Sequence, residues 1–429
     1  MNDPQMKNDP QIKLLKRALR EQIINQYGNI TLEDVDKAVL NSEMASIFGR
    51  VVRNVGVQVT EGMRPVITKQ VLHDLAGWGP LQDLMDDPLV TEIMINGAFS
   101  IYCERAGKTF QCDVFFDDEQ HLRYIIEKMI RPSGRRVDES FPYVDFSLPN
   151  GSRVNVIIPP CGSGGPYVTI RKFLHDLKTL DKMVEIGTMD ERMAIFLRAC
   201  VRAKVNLMFS GATGSGKTTL LEILSSDIGE EERIITIEDT LELHLRQKHV
   251  ARLLTRNPNI EGKGEISIHD LFINSLRMRP DRIILGEIRG GEALDYLQAC
   301  NSGHEGSMAV IHASSPDDVI VRMESMAFYA GLNIPASSIK MQIAHGINIV
   351  VQLAQIIDGS RKVVKISEIT ESADKGIEVK HIFKFKGDRM DEHGRIHGHF
   401  MATGYLPEAL EQMKDMHVHI PMDIFTRTA

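Results

Sequence analysis

The chain has 429 residues, too many for one ordinary hydrophobic core, so two or three domains are expected. It is 43% hydrophobic and 25% charged, a globular composition, and 58 acidic against 50 basic residues leave a formal charge of -8. That balance excludes a strongly basic footprint, and no nucleic-acid partner is expected.

The N-terminal stretch Met-Asn-Asp-Pro-Gln-Met-Lys-Asn-Asp-Pro is polar, and residues 1–12 are expected to be disordered, with no signal peptide. From Lys13 to about Leu75 apolar residues recur at helical spacing (Leu14, Leu15, Ala18, Leu19, Ile23, Ile24), resuming after the capping-box-like Thr31-Leu-Glu-Asp. Residues 13–75 thus read as a small helical domain, with a solvated helical arm as the competing reading. Beyond Gly77-Trp-Gly-Pro80, short apolar runs alternate with turn signals. Val90–Gly97 and Ser100–Arg105 form a candidate hairpin, 118–130 a helix, and Pro149-Asn-Gly151 a turn between two further strands. Residues 76–173 are therefore expected to be an α+β domain, and 174–190 a linker.

From Glu191 onward strands and helices alternate, the sign of a parallel α/β sheet filling 191–429. Candidate strands are 205–210, 233–237, 282–285, 308–312 and 347–353, with a strand at Val379–Phe385 and a helix at 407–414 near the end. Nowhere does the chain approach the roughly 18–20 apolar residues of a membrane span. Its five cysteines (Cys103, Cys112, Cys161, Cys200, Cys300) include no C-x-x-C pair, which fits a reducing, cytoplasmic setting.

The strongest chemical signal is Gly211-Ala212-Thr213-Gly214-Ser215-Gly216-Lys217-Thr218, between an apolar strand and a helix that continues through Thr219. In such a loop the backbone N–H groups curl around a polyphosphate at a helix N-terminus. Lys217 then reaches the β- and γ-phosphates and the Thr218 hydroxyl ligates Mg²⁺, so ATP and Mg²⁺ are the expected cofactors. An ordinary Gly/Ser turn is the competing reading, and the flanking strand and helix argue against it.

Acidic partners are expected at strand ends, where open α/β sheets bind ligands. Arg233-Ile-Ile-Thr-Ile-Glu238-Asp239 delivers two carboxylates, and Asp281-Arg-Ile-Ile-Leu-Gly286-Glu287 delivers one, with Gly286 where the usual metal-supporting Asp stands. Glu287 is accordingly assigned to water activation, and Glu238 or Asp239 to outer-shell Mg²⁺ support or water positioning. A helix-cap cluster is the alternative for Glu238 and Asp239, and a surface charge for Glu287. His304 and His312, eight apart and flanking a strand, lack a third ligand for a metal, and are read as sensing the γ-phosphate or bridging to a neighbouring subunit.

This order of motifs resembles the secretion and pilus ATPase superfamily: the phosphate loop, Ile-Glu-Asp-Thr-Leu-Glu-Leu, Gly-Glu followed by Ile-Arg-Gly, then Gly-His-Glu-Gly-Ser…His-Ala. Gly-Trp-Gly-Pro-Leu, Val-Thr-Glu-Ile-Met-Ile-Asn-Gly, Leu-Pro-Asn-Gly-Ser-Arg-Val-Asn and Arg-Met-Arg-Pro-Asp-Arg-Ile narrow it to the CpaF-type ATPases of Tad (type IVc) pili, over roughly residues 76–420. Val310 and Ser314 depart from the family's usual Thr and Asn. The four-cysteine metal motif of general-secretion ATPases is missing from the sequence. The resemblance implies a RecA-like P-loop C-terminal domain behind a smaller α+β domain and a helical domain. It further implies a homo-hexamer docked on an inner-membrane platform protein at the cytoplasmic face, powering pilus assembly, retraction or secretion. N-terminal arginines reach the phosphates in that family; Arg153 and Arg171 match those positions and Arg135 is a weaker match, with surface ion pairs as the plain alternative. A RecA-like nucleic-acid translocase and a nucleotide-bound scaffold without turnover are the competing functions.

Overall fold

The computed structural model describes residues 9–27, 37–105, 107–172, 179–256, 258, 262–331, 334–372, 376–392 and 394–427. The chain divides into two compact units, 1–174 and 175–429.

The first unit opens with three helices, α1 (Pro10–Tyr27), α2 (Lys37–Val55) and α3 (Met63–Ala76). They bury Leu15, Leu19, Ile23, Leu40, Met44, Phe48, Ile67 and Val71 in a shared core, so this is a packed bundle and not a solvated arm. One expectation is corrected at its start. Helix α1 begins at Pro10, inside the stretch read as disordered, because Asp9 accepts the Gln11 N–H at 2.8 Å and proline suits the first helical position. Residues 1–8 and the capping-box-like Thr31-Leu-Glu-Asp lie outside the described residues.

After α4 (Gln82–Asp86) comes a sheet built from β1 (Val90–Asn96), β2 (Ile101–Arg105), β3 (Lys108–Gln111), β4 (Tyr143–Ser147), β5 (Arg153–Ile157) and β6 (Tyr167–Arg171). Its order is β3-β2-β1-β6-β5-β4, with every pairing antiparallel. Helix α5 (Glu119–Ile130), capped by Asp118, lays Leu122, Ile125, Ile126 and Met129 into the same core as Ile93, Ile95, Val154, Val156 and Ile170. The bundle is fastened to this layer by buried charge. Lys16 meets Asp117 at 2.5 Å, and Arg20 and His121 meet Asp74 at 2.7 and 3.0 Å.

The second unit begins within the span read as a linker, a second correction. Thr179 caps α6 (Leu180–Glu185), and Leu180, Met183 and Met189 are buried in the core, so 179–190 packs as part of the unit. Then follow α7 (Glu191–Arg202), β7 (Leu207–Gly211), α8 (Lys217–Ser225), β8 (Ile234–Glu238), β9 (Val250–Leu254), α9 (Ile268–Ser275) and β10 (Arg282–Ile288). Next come α10 (Glu292–Cys300), β11 (Met308–Ile311), α11 (Pro316–Phe328), α12 (Ala336–Gly346) and β12 (Ile349–Gln355). The remainder is β13 (Arg361–Ser372), β14 (Gly376–Met390), β15 (Ile396–Ala402) and α13 (Ala409–Asp415).

Its nine strands run β15-β14-β13-β12-β7-β11-β10-β8-β9. From β12 to β9 all pairings are parallel, and β13–β15 extend the sheet as an antiparallel meander. Strand β7 is buried throughout: Leu207 and Phe209 enter one core and Met208 the other, as the two-residue period of a strand covered on both faces requires. The fold is thus α/β in the second unit and α+β in the first, and the parallel strands bring the carboxyl ends of β7, β11, β10 and β8 to one edge.

Candidate nucleotide site

The phosphate loop is the connection from β7 to α8. Gly216 stands at the helix N-cap with φ +95°, a backbone that side chains with a Cβ rarely adopt, and Lys217 is the first helical residue. Around the loop interior, Ala212 O accepts Lys217 Nζ at 2.8 Å, Ser215 Oγ at 2.8 Å and Ser215 N at 3.3 Å. Lys217 and Ser215 are buried, Ala212, Thr213 and Gly214 are exposed, and Thr218 and Thr219 lie half-buried on the first turn of α8. A cleft of about 470 Å³ opens beside the loop, lined by Gly211, Ala212, His312, Ala313, Ser314 and Asp318.

Glu238 ends β8 and is 2% exposed, its Oε1 accepting the N–H groups of Glu242 and Leu243, both at 3.0 Å. On neighbouring β10, a Cβ placed on Gly286 would stand 2.9 Å from Glu238 Cγ. A side chain at 286 would therefore require Glu238 to shift, because the arm of Glu238 occupies the space beside Gly286.

Glu287 is the centre of a polar row. Its Oε1 accepts from His312 Nε2 at 2.9 Å and its Oε2 from Arg289 at 2.7 Å, while the same guanidinium reaches Asp239 Oδ2 at 3.3 Å. His312 follows β11, Glu287 belongs to β10 and Asp239 follows β8, so the row spans three parallel strand ends. Burial raises the Glu287 pKa, but hydrogen bonds and charge from His312 and Arg289 outweigh it and hold the carboxyl at about 2. Arg289 is correspondingly raised, first by its hydrogen bond to Glu287. Sequence reasoning assigned no role to Arg289; it stands in the Ile-Arg-Gly after Gly286-Glu287, and only the register of β8 against β10 shows that it joins two carboxylates.

The two histidines part company. Strand β11 pairs Met308 with Leu207 and Ile311 with Ser210, which sets His312 beside the phosphate loop and leaves His304 before the strand, at the opposite edge of the sheet. There the His304 N–H is bonded to Ala299 O at 3.3 Å. Proximity to the loop belongs to His312 alone of the pair.

In the first unit, β5 and β6 pair Arg153 directly opposite Arg171, with Glu92 on β1 opposite Arg171 on its other side, 2.9 Å from Arg171 Nε. Like charges directly opposite one another across a sheet destabilise it. Arg135 instead donates to the Asp145 backbone carbonyl.

Glu222, on α8, is a further titratable group missed from sequence. Burial pushes it up to about 7, against the pull of Arg246 and the His244 backbone. With the folded value raised, the folded chain holds a proton that the unfolded chain releases from about 4.5 upward, so stability falls as pH rises through 7. Glu222→Gln is expected to stabilise the fold at pH 8 by about 1–2 kcal/mol once solvent screening is allowed for, read as a raised thermal midpoint, and to change little at pH 4.5. An equal effect at both pH values would show that Glu222 is not the titrating group.

Among the described residues, no set of three or more His, Cys, Asp or Glu is arranged to hold a metal ion, and no helix is long and apolar enough to cross a membrane. Mg²⁺ at nucleotide sites keeps several waters and takes one or two protein oxygens plus phosphates, so no all-protein cage is required of Thr218, Glu238 and Asp239.

Residues 74–396 match the type II/IV secretion system protein family. A putative conjugal transfer protein of Mycobacterium tuberculosis is 30% identical over 305 residues, 70% of this chain and 86% of that protein. The type IV secretion system protein VirB11 of Brucella suis is 31% identical over 318 residues, 68% of this chain and 88% of that one. The crystal structure of that VirB11 ATPase in complex with sulphate aligns over 67% of this chain and 91% of that chain, at 30% identity and a TM-score of 0.37. With a phosphate loop, a buried acidic residue on β8 and an ionised carboxylate on β10 at one sheet edge, the chain belongs to the type II/IV secretion system protein family and is a nucleotide-binding P-loop ATPase of that family.

Proposed function

We propose that this chain is one subunit of a homo-hexameric, Mg²⁺-dependent ATPase of the CpaF-type, Tad-pilus branch, working at the cytoplasmic face of the inner membrane against a platform protein to drive pilus assembly, retraction or secretion. The observation that carries the catalytic part is the row His312–Glu287–Arg289–Asp239 beside the phosphate loop. In this reading Lys217 and the loop N–H groups hold the β- and γ-phosphates, while Thr218 with Glu238 or Asp239 holds Mg²⁺, directly or through water. The metal would neutralise charge developing on the transferred phosphoryl group. Glu287 orients the attacking water, and His312 reports γ-phosphate occupancy to it. The branch assignment rests on the sequence phrases from Gly77 to Ile283, and on cysteines too scattered to form a four-cysteine metal motif.

Arg153 and Arg171 complete the proposal as phosphate ligands. Their cross-strand apposition sets two guanidiniums side by side, an arrangement that suits an anion. Arg153→Ala and Arg171→Ala are each expected to weaken ATP by roughly 10- to 100-fold and ADP by less, the scale of one charge-assisted hydrogen bond of about 1.5–3 kcal/mol. Paired titrations of both nucleotides decide it, run alongside the oligomeric state with and without a non-hydrolysable ATP analogue. Equal weakening of ATP and ADP would remove the γ-phosphate from their role. A chain that stays monomeric with the analogue would overturn the ring, and hydrolysis stimulated by DNA would favour a translocase.

A further inference from the structure

A cation outside the family phrases also meets the phosphate loop. Strand β12 pairs Leu353 with Gly211, so its end runs alongside the loop, and two residues on Gln355 pairs with Arg361, the first residue of β13. The intervening turn is well fastened: Ile356 N bonds Ser360 O at 2.9 Å, and Asp358 accepts from Ser360 N and Ile396 N, both at 2.8 Å. From this platform Arg361 Nε donates to Gly214 O at 2.7 Å, across 147 residues of sequence, and its Cδ would stand 3.5 Å from a Cβ on Gly216.

The consequence follows from peptide planarity. In a trans peptide the C=O of one residue and the N–H of the next point in opposite directions. A guanidinium that holds the Gly214 carbonyl from outside therefore turns the Ser215 N–H toward the loop interior, where it now meets Ala212 O at 3.3 Å. A phosphate loop works by presenting N–H groups inward. Arginine suits the task, since it stays charged and has further N–H donors.

We propose that Arg361 is a positioning residue of the nucleotide site, a brace from the β12–β13 turn that keeps the phosphate loop in its polyphosphate-binding form and adds positive charge beside it. This rests on the P-loop reading, and extends it to the antiparallel part of the sheet. Because the braced loop serves the phosphates common to both nucleotides, Arg361→Ala should weaken ATP and ADP equally, on the order of 10-fold, with kcat at saturating ATP nearly unchanged. Arg361→Lys, which keeps the charge and one donor, should recover part of the loss, and thermal midpoints of both variants should match wild type. Wild-type affinities in a folded Arg361→Gln protein would overturn the proposal. So would a loss in Arg361→Ala accompanied by a lowered midpoint and not recovered by lysine, which would make the contact structural only. Lys217→Ala in the same titration separates the two readings: if it too binds normally, the P-loop reading fails; if it alone loses binding, only the brace does.

Discussion

Lys217→Ala should abolish measurable nucleotide binding while leaving the protein folded. Lys217 opens α8 and is 6% exposed, and its ammonium group bonds Ala212 O at 2.8 Å, within reach of the cradle that the loop N–H groups would form around phosphates. Alanine favours helix, so α8 keeps its start. What disappears is a cation able to make two charge-assisted hydrogen bonds to phosphate, together about 3–6 kcal/mol, or roughly 10²- to 10⁴-fold in affinity. Titration with ATP and ADP, beside a thermal melt showing an intact fold, measures it. Retained micromolar affinity for ATP in the folded variant would sink the assignment of this loop as the phosphate site.

The parallel sheet was legible because its strands are short, continuous apolar runs. Strand β7 is read as 205–210 and found at Leu207–Gly211, and β8 is read as 233–237 and found at Ile234–Glu238. The meander was legible only in part. The strand read at Val379–Phe385 lies inside β14 (Gly376–Met390), whose remaining residues are half-buried or exposed, while β13 carries Arg361, Lys362, Lys365 and Glu368 among its apolar residues and gives no signal of a buried strand. Site residues divide the same way. Motif spacing places Lys217, Glu238, Glu287 and His312 at one sheet edge, because each follows or ends a strand whose direction is set by the alternation of strands and helices. It could not separate His304 from His312, since eight residues spanning a strand put the two at opposite edges, nor show Arg289 and Arg361, whose partners are set by strand register and by contacts distant in sequence.

Glu287→Gln should bind ATP as wild type does and hydrolyse it slower by on the order of 10²-fold or more, the scale of losing a positioned base or water-orienting group. The substitution keeps shape and removes charge. It ends the ion pair with Arg289 at 2.7 Å and leaves His312 facing an amide in place of a carboxylate. Because Glu287 is held at about 2, it is ionised at every working pH. So low a value also makes the resting carboxylate a weak proton acceptor, which is why the proposed mechanism has Glu287 orient water and place negative charge. The same depressed pKa has a stability signature of definite sign. The carboxylate's contribution is present above the ordinary value of 4.5 and lost as pH falls from there toward 2, so the midpoint difference between wild type and Glu287→Gln should be largest near neutrality and shrink in acid. Single-turnover phosphate release under saturating ATP separates chemistry from binding. Wild-type turnover in the variant would transfer the water-orienting role to Glu238, whose side-chain arm packs beside Gly286 on the same edge.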